Sequence, residues 1–586
     1  MSRRTEQQGD QGPRPSVWFA LALLSTALPF FINWGTIGVA DYDQFATFNQ
    51  IALWWHALGD YEVAWNPFLC GGATLVGNPQ IPLFHPNMLS YRLFGAGNGL
   101  GMALLPWMAA GFWSMFQFAR VYGLRPKPAG WIATAWVVNG YFIGQLGSMH
   151  VMYAPYYLLP AFFLVNRAIA RDGSWRALAV VPFMYAFPSF YNHHFLAYGF
   201  GFVLAHFTFE AFASRREPGV VVKAILYLVA VGLAIGMLAM FMLPNLSWLA
   251  EFPRFKPANY EPPLSLIQML FFPVPIIPFD LPSDQFERYY TLGPVLFLLF
   301  ILSLRRRVFL RPGLGPLLLI GIAAFGFAIG SLESSGGPRI LPLDALRALV
   351  PPYRSIQVPS RFFINAIPII LLMTGLVWQD LLDEGKWSDR RARWILGFAL
   401  APLILFNFGY FQFSLFSFER SVDRHLEAKP AGEFVWGPPG YEFRMMRILE
   451  PNVGVLDCYE ALEVPQAEAL RPEHGFVLDA DAAVDVTRTN WGEFLLRTEA
   501  PAVVRFNFNH HRGWRLIDTD GAVQVVSRNR EPFEVAMSEG TYARFRYEVP
   551  SWALGIKVTL GALALALLFT VGCLGMGRRS SSTAVS

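Results

Sequence analysis

The chain has 586 residues, 54% of them hydrophobic and only 15% charged, with a formal net charge of +4. A soluble domain of ordinary make-up carries roughly 25% charged residues, so a single large water-soluble globule is excluded, and no nucleic-acid partner is expected. Cys70, Cys458 and Cys573 fall in three separate regions, which excludes a disulfide framework or a cysteine metal site.

In chain order, Arg3, Arg4 and Arg14 precede an apolar stretch from Val17 to Val39. That stretch is too long for the apolar core of a signal peptide and lacks a small-residue cleavage site, so a retained first helix is expected. A helix needs roughly 20 apolar residues to cross a bilayer. Such runs occupy 17–39, 101–121, 129–147, 151–168, 176–190, 195–213, 219–243, 291–304, 314–331, 362–380, 394–414 and 552–575. About twelve transmembrane helices are therefore expected, the fifth and eighth short enough to be broken or tilted.

Alternate junctions between these runs are basic. Arg120, Arg125 and Lys127 occupy one, Arg167, Arg171 and Arg176 the next, then Arg215, Arg216 and Lys223. Arg305, Arg306, Arg307 and Arg311 follow, then Lys386, Arg390, Arg391 and Arg393, and finally Arg578 and Arg579. The stretch 40–100 between them holds Arg92 as its one arginine and no lysine. By the positive-inside rule the basic junctions and both termini are expected in the cytoplasm. The outer segments are then 40–100, 245–290, 332–361 and 415–551. The last returns to a normal charge content, and runs such as PAVVRFNFNHHRGWRLID alternate like strands. The chain reads as a polytopic α-helical membrane protein over 1–414, with an extracytoplasmic, β-sandwich-like domain over 415–551 that is expected to fold alone around Trp514. A final helix and cytoplasmic tail follow over 552–586.

Chemistry-bearing residues collect on the outer side. Asp41 and Asp43 flank Tyr42 at the start of the first outer segment, beside Gln44. Either carboxylate suits general-base work, or an N-cap for a helix from Gln44. His193 and His194 lie on a turn without the spacing of a metal site. Arg354 and Arg361 stand where the tenth span begins, against the usual charge bias. Arginine there suits bidentate contact with a phosphate, or snorkelling to lipid headgroups. Asn139, His206 and Glu210 are the main polar residues inside the spans, too few for a proton relay. No P-loop, dinucleotide fingerprint, nucleophile elbow or HExxH is present.

Asp41, Gln44 and Phe45 form the pattern D-x-x-Q-aromatic, followed by WNPFLCGGATLVGNPQIPLFHP from Trp65 onward. YRSIQVPSRFF comes later, and then HHRGWRLIDTDGAVQVVSRNREPFEVAMSEGTYARFRYEVPSWALG. In this order the motifs resemble the bacterial YfhO-like membrane proteins of the GT-C glycosyltransferase superfamily, with His511-Arg512 replacing that family's usual Tyr-Pro before Gly-Trp. The resemblance implies a glycosyltransferase of the bacterial plasma membrane. It would take a sugar from a polyprenyl-phosphate donor to a glycolipid or cell-envelope polymer, among membrane lipids. Asp41 and Asp43 would be catalytic. Gln44, Asn78, Gln80, His85, Arg354 and Arg361 would bind substrate. No metal ligand is assigned, and a divalent ion is the one candidate cofactor. Two other classes stand beside this reading: a lipid or polysaccharide transporter or flippase, and a non-catalytic envelope-assembly scaffold. A transporter would carry polar residues in mid-span and interrupted helices in matching halves.

Overall fold

The structure, a computed structural model, describes residues 15–32, 96–147, 151–191, 195–251, 292–330, 340–350, 358–401, 475–526 and 532–583 almost completely, with short pieces between them such as 64–66 and 71–74. The helical body runs α1 (Pro15–Ile32), α2 (Ala96–Val121), α3 (Pro126–Val137), α4 (Gly140–Gly147), α5 (Leu159–Ala170), α6 (Trp175–Tyr191) and α7 (Gly201–Ala213). It continues with α8 (Val220–Met237), α9 (Ala239–Glu251), α10 (Pro294–Arg305), α11 (Gly315–Ala328), α12 (Pro342–Leu349), α13 (Ile367–Asp383) and α14 (Trp552–Thr583).

Among the described residues, Leu196–Ala213, Val220–Met237 and Trp552–Gly577 are long and apolar enough to cross a membrane. Pro359–Asn365 with Ile367–Asp383 makes a fourth if that pair, bent by 41°, is one span. The expected count of about twelve exceeds what these residues establish, because several apolar runs are interrupted. The run 129–147 breaks at Asn139, whose buried side chain accepts hydrogen bonds from the Tyr141 and Phe142 backbone N–H groups and so caps α4. The run 151–168 opens as a 3-10 turn, Val151–Leu158, before α5. The run 219–243 breaks between α8 and α9, where Thr559 of α14 closes the gap. Its hydroxyl donates to the Met237 carbonyl at 3.1 Å and accepts from the Met240 N–H at 2.9 Å. Backbone groups freed in an apolar setting need such partners.

The core of this body is aromatic: Trp131, Trp136, Trp378, Tyr141, Tyr156 and Tyr157 are fully buried. Its outside is apolar too. Val221, Val222, Ile225 and Leu228 of α8, and Leu560, Leu565, Leu568 and Val571 of α14, are all more than half exposed. Apolar surface of that extent is not left against water; it suits hydrocarbon, and the chain is a membrane protein. The basic junctions meet at one end of the bundle. Arg171 pairs with the buried Glu210 at 2.5 Å, Arg125 with Asp383 at 2.7 Å and Arg306 with Glu384 at 2.8 Å. Arg311 pairs with Asp380, and Lys223 lies 5.6 Å over the Trp175 ring. Glu210 and its i−4 neighbour His206, read in sequence as mid-span polar residues, are buried beneath this layer.

Among the described residues the first strands are β1 (Trp65–Asn66) with β2 (Ala73–Thr74), an antiparallel pair, and β3 (Val435–Gly437) with β4 (Val453–Val455), a parallel pair. The C-terminal β-rich region holds two four-stranded antiparallel sheets. One has the order β10 (Val523–Val526), β11 (Pro532–Met537), β8 (Ala502–Asn509), β5 (Val477–Ala480). The other has the order β6 (Val484–Asn490), β7 (Glu493–Thr498), β12 (Tyr542–Tyr547), β9 (Trp514–Asp520). Strict alternation builds the core between them: Phe494 and Leu496, Phe506 and Phe508, Phe533 and Val535, and Ala543 and Phe545 all point inward. Trp514 joins this core, as expected. Gly513 beside it is required by space, since a Cβ would lie 2.5 Å from the Tyr547 ring and 2.7 Å from the Glu548 carbonyl.

On the opposite face of β7, Glu493 is 1% exposed and accepts hydrogen bonds from Arg544 at 2.5 Å and Arg546 at 2.7 Å. Burial pushes its carboxyl up, but the two guanidinium groups outweigh burial and hold it below its ordinary value. A depressed carboxylate contributes stability above its unfolded-state value, about pH 4.3, and loses it as the pH falls through the folded value. Glu493→Gln should therefore lower the stability of this region at pH 7 by about 1–2 kcal/mol. The difference from wild type, read as thermal midpoints, should close below about pH 4.

Candidate functional site

The end of the bundle away from the basic layer is built from turns rather than helix ends. The 3-10 turn Val151–Leu158, a π-helical turn Leu196–Phe200 and a second 3-10 turn Pro359–Asn365 meet there. Proline accounts for the first, because Pro155 inside it removes a backbone donor. Asn365 ties the second and third together, its amide donating to the Tyr198 carbonyl at 2.8 Å and the Phe362 carbonyl at 2.9 Å.

Arg361 projects from this junction, half-buried. Its guanidinium lies 5.2 Å from the Tyr153 ring centre and 6.0 Å from that of Tyr198. Tyr153 in turn contacts Tyr141 and Tyr156, each with centroids 5.9 Å away. Tyr353, two turns of chain earlier than Arg361, has its hydroxyl beside Gly201. The result is a cation among tyrosine rings, where cation–π attraction is worth roughly 0.5–2 kcal/mol. Nearby, the 8% exposed Arg347 of α12 donates to the Ile356 carbonyl at 2.7 Å and holds the loop that leads to Arg361.

Of the residues assigned to catalysis or substrate binding from the sequence, Arg361 is the one that the described residues include. Asp41, Asp43, Gln44, Asn78, Gln80, His85 and Arg354 lie outside the described residues, as do His193 and His194. The tyrosine cluster and Arg347 were missed. The run YAPYY, with three rings around a proline in an apolar stretch, is the signal that marks the cluster.

Part of the segment 40–100, read in sequence as the first outer one, is described, and it docks on the β-rich region. β1 (Trp65–Asn66) and β2 (Ala73–Thr74) form a small antiparallel hairpin. Trp65, 3% exposed, enters the sandwich core, with ring centroids 5.3 Å from Trp514 and 4.7 Å from Tyr547. Val76 and Leu470 complete the same cluster. The Asn509 N–H donates to the Gly71 carbonyl at 2.8 Å. Gly71 and Gly72 both have positive φ, and a Cβ on Gly71 would lie 2.7 Å from Leu470. The glycine pair is thus required by conformation and by close approach.

The dipeptide His511-Arg512 sits on the other contact between the two parts. His511 Nδ1 lies 2.7 Å from the Tyr547 hydroxyl, and its ring is 4.8 Å from that of Trp248 at the end of α9. Arg512 donates to the Ser247 carbonyl at 2.5 Å, and the Ser247 and Ser551 hydroxyls are 2.9 Å apart. The β-rich region is therefore seated on α9 and on the start of α14. It lies at the same end of the bundle as the β1–β2 hairpin, opposite the basic layer. Among the described residues no group of three or more His, Cys, Asp or Glu side chains is placed to hold a metal ion.

These features define a helical membrane protein that carries a β-sandwich on one face. No family model matches the chain. No curated protein matches it either. Among solved structures it is similar to ArnT from Cupriavidus metallidurans bound to undecaprenyl phosphate. That similarity has 11% identity and a TM-score of 0.42, over 75% of this chain and 86% of that one. It is also similar to the arabinofuranosyltransferase AftD from Mycobacteria, at 12% identity and a TM-score of 0.47 over 91% of this chain. The chain spans 40% of the AftD chain. Both likenesses are loose, at values below those that fix a common fold.

Proposed function

We propose that the protein is a GT-C-type glycosyltransferase that moves a sugar from a polyprenyl-phosphate donor to a cell-envelope acceptor at the outer face of a bacterial plasma membrane. The observation that carries this reading is Arg361, a half-buried cation among tyrosine rings at the end of the bundle opposite the basic layer. Cations are disfavoured on that side by the usual charge bias, and a guanidinium there suits bidentate contact with a phosphate. The lipid phosphate of a polyprenyl-linked sugar is such an anion, and the apolar surface beneath would take its tail.

In this reading the basic layer and both termini face the cytoplasm. Asp41 or Asp43 accepts the proton of the acceptor hydroxyl as its oxygen attacks the anomeric carbon from the side opposite the phosphate. The bond from that carbon to the phosphate oxygen breaks, and polyprenyl phosphate leaves with the electron pair. Arg361 and Arg354 stabilise the charge that develops on it. Gln44, Asn78, Gln80 and His85 orient the sugar. A divalent ion, where one is bound, would add further charge to the leaving phosphate. The motifs resembling YfhO-like proteins support the assignment of the carboxylates.

The test compares polyprenyl phosphate with the uncharged polyprenol as ligands of the detergent-purified protein. A ligand that binds the folded state raises its thermal midpoint by mass action. Polyprenyl phosphate should stabilise the wild type more than polyprenol does. Arg361→Ala should weaken polyprenyl-phosphate binding about tenfold, in keeping with loss of one charge-assisted contact. Equal stabilisation by the two lipids, unchanged in Arg361→Ala, would overturn the reading.

A further inference from the structure

The sheet β6–β7–β12–β9 has a second, outward face. Strand register brings Asp485, Arg497, Tyr542 and Asp520 into one row across its four strands. A groove of about 880 Å³ runs over this end of the face, bordered by Asp485, Arg497, Glu499 and Tyr542 and floored by Leu495. That volume lies within the range of small-ligand sites, roughly 300–1,000 Å³.

The groups in the groove differ from the other charges of the region. Arg544 and Arg546 are engaged by Glu493, and on the opposite sheet Arg505 is engaged by Asp479 and Glu534. Arg497 stands directly opposite Asp485 in register, yet no hydrogen bond or ion pair to another described residue engages its side chain. Glu499 is likewise unengaged among the described residues. Tyr542, in contrast, is fixed: its hydroxyl donates to Asp518 at 2.7 Å, which holds the ring along the sheet.

We propose that this groove binds an uncharged, hydroxyl-rich glycan chain. An aromatic ring fixed on a sheet offers an apolar face to the C–H side of a sugar ring. Two carboxylates accept hydrogen bonds from sugar hydroxyls, and a guanidinium donates two in parallel. Two carboxylates against one guanidinium leave the groove net negative, which disfavours phosphorylated or uronic-acid chains. Binding stands independently of sugar transfer; that the bound chain is the acceptor rests on the transferase reading.

Neutral oligosaccharides (maltoheptaose, cellohexaose and mannohexaose) and an anionic one, a hyaluronan hexasaccharide, are titrated into the full chain in detergent, with binding read by microscale thermophoresis. At least one neutral chain should bind more tightly than the anionic one. Tyr542→Ala and Arg497→Gln should each weaken it at least tenfold. Tyr542→Phe, which keeps the ring, should retain most of the affinity, and Arg515→Gln, outside the groove on the same sheet, should change it less than twofold. Arg497 is exposed, so its variant carries the test if Tyr542→Ala fails to fold. Absence of binding by every neutral chain, preference for the anionic chain, or full affinity in Arg497→Gln would each overturn the proposal. Because no transfer is measured, its failure is separable from failure of the transferase reading.

Discussion

Asp41→Asn is expected to lower sugar transfer by about 10²–10⁴-fold, the range typical of a positioned general base. The protein should remain inserted and folded, because asparagine keeps the shape and helix insertion does not need an outer carboxylate. Asp43→Asn is expected to have the smaller effect. The order rests on the register of Asp41 with Gln44 and Phe45 in the D-x-x-Q-aromatic pattern. It also rests on distance along the chain from the first helix, of which the described part ends at Ile32. A base works within a narrow window of hydrogen-bond geometry, so the carboxylate closer to a fixed element is the better placed. Transfer rates of the two single variants in reconstituted membranes check the order. Full activity in Asp41→Asn with an inactive Asp43→Asn would move the role to Asp43.

Trp65→Ala is expected to destabilise the β-rich region by about 3–5 kcal/mol, the usual cost of removing a large buried aromatic. Trp65 fills the space between Trp514, Tyr547 and Phe508, and its removal leaves a cavity that these bulky rings cannot close. Its effect reaches across the molecule, since the hairpin that bears it belongs to the segment that also carries Asp41 and Asp43. The expectation that 415–551 folds alone changes with this contact. Without Trp65 and Val76 the isolated segment should melt well below the same region in the full chain. Fusing residues 62–78 to it should recover most of the difference. Thermal melts followed by tryptophan fluorescence check both statements; equal midpoints with and without the hairpin would contradict them.

The helical runs and the alternation of basic junctions were legible because both follow from the bilayer: length sets the runs and charge sets the junctions. The breaks at Asn139 and Leu238 were not legible as breaks. Each is made good by a partner that local pattern does not reveal, a side-chain cap in one case and Thr559 from far along the chain in the other. The sandwich and its Trp514 core were legible from strand alternation, but a further member of that core, Trp65, lies hundreds of residues earlier, where strand pattern does not reach it. Arg361 stood out in the sequence because a cation in a segment read as outer runs against the usual charge bias. Its tyrosine surroundings were hidden, since Tyr141, Tyr153 and Tyr198 come from three separate stretches that meet only in the fold. His511-Arg512, noticed only as a departure from a familiar pattern, turned out to seat the sandwich on α9.

Cleavage of the bond between a sugar and a polyprenyl phosphate, the reaction proposed for this chain, can be measured directly. Membranes containing the wild type, and membranes containing the Asp41→Asn, Asp43→Asn double variant, are supplied with radiolabelled polyprenyl-phosphate sugars in the presence of their own envelope acceptors. Wild-type membranes should move label from the lipid to a non-lipid or glycolipid product and release polyprenyl phosphate in equal amount, while the double variant should do neither above background. Equal rates in the two sets of membranes would contradict it and would favour a scaffold that holds the envelope machinery without sugar chemistry of its own.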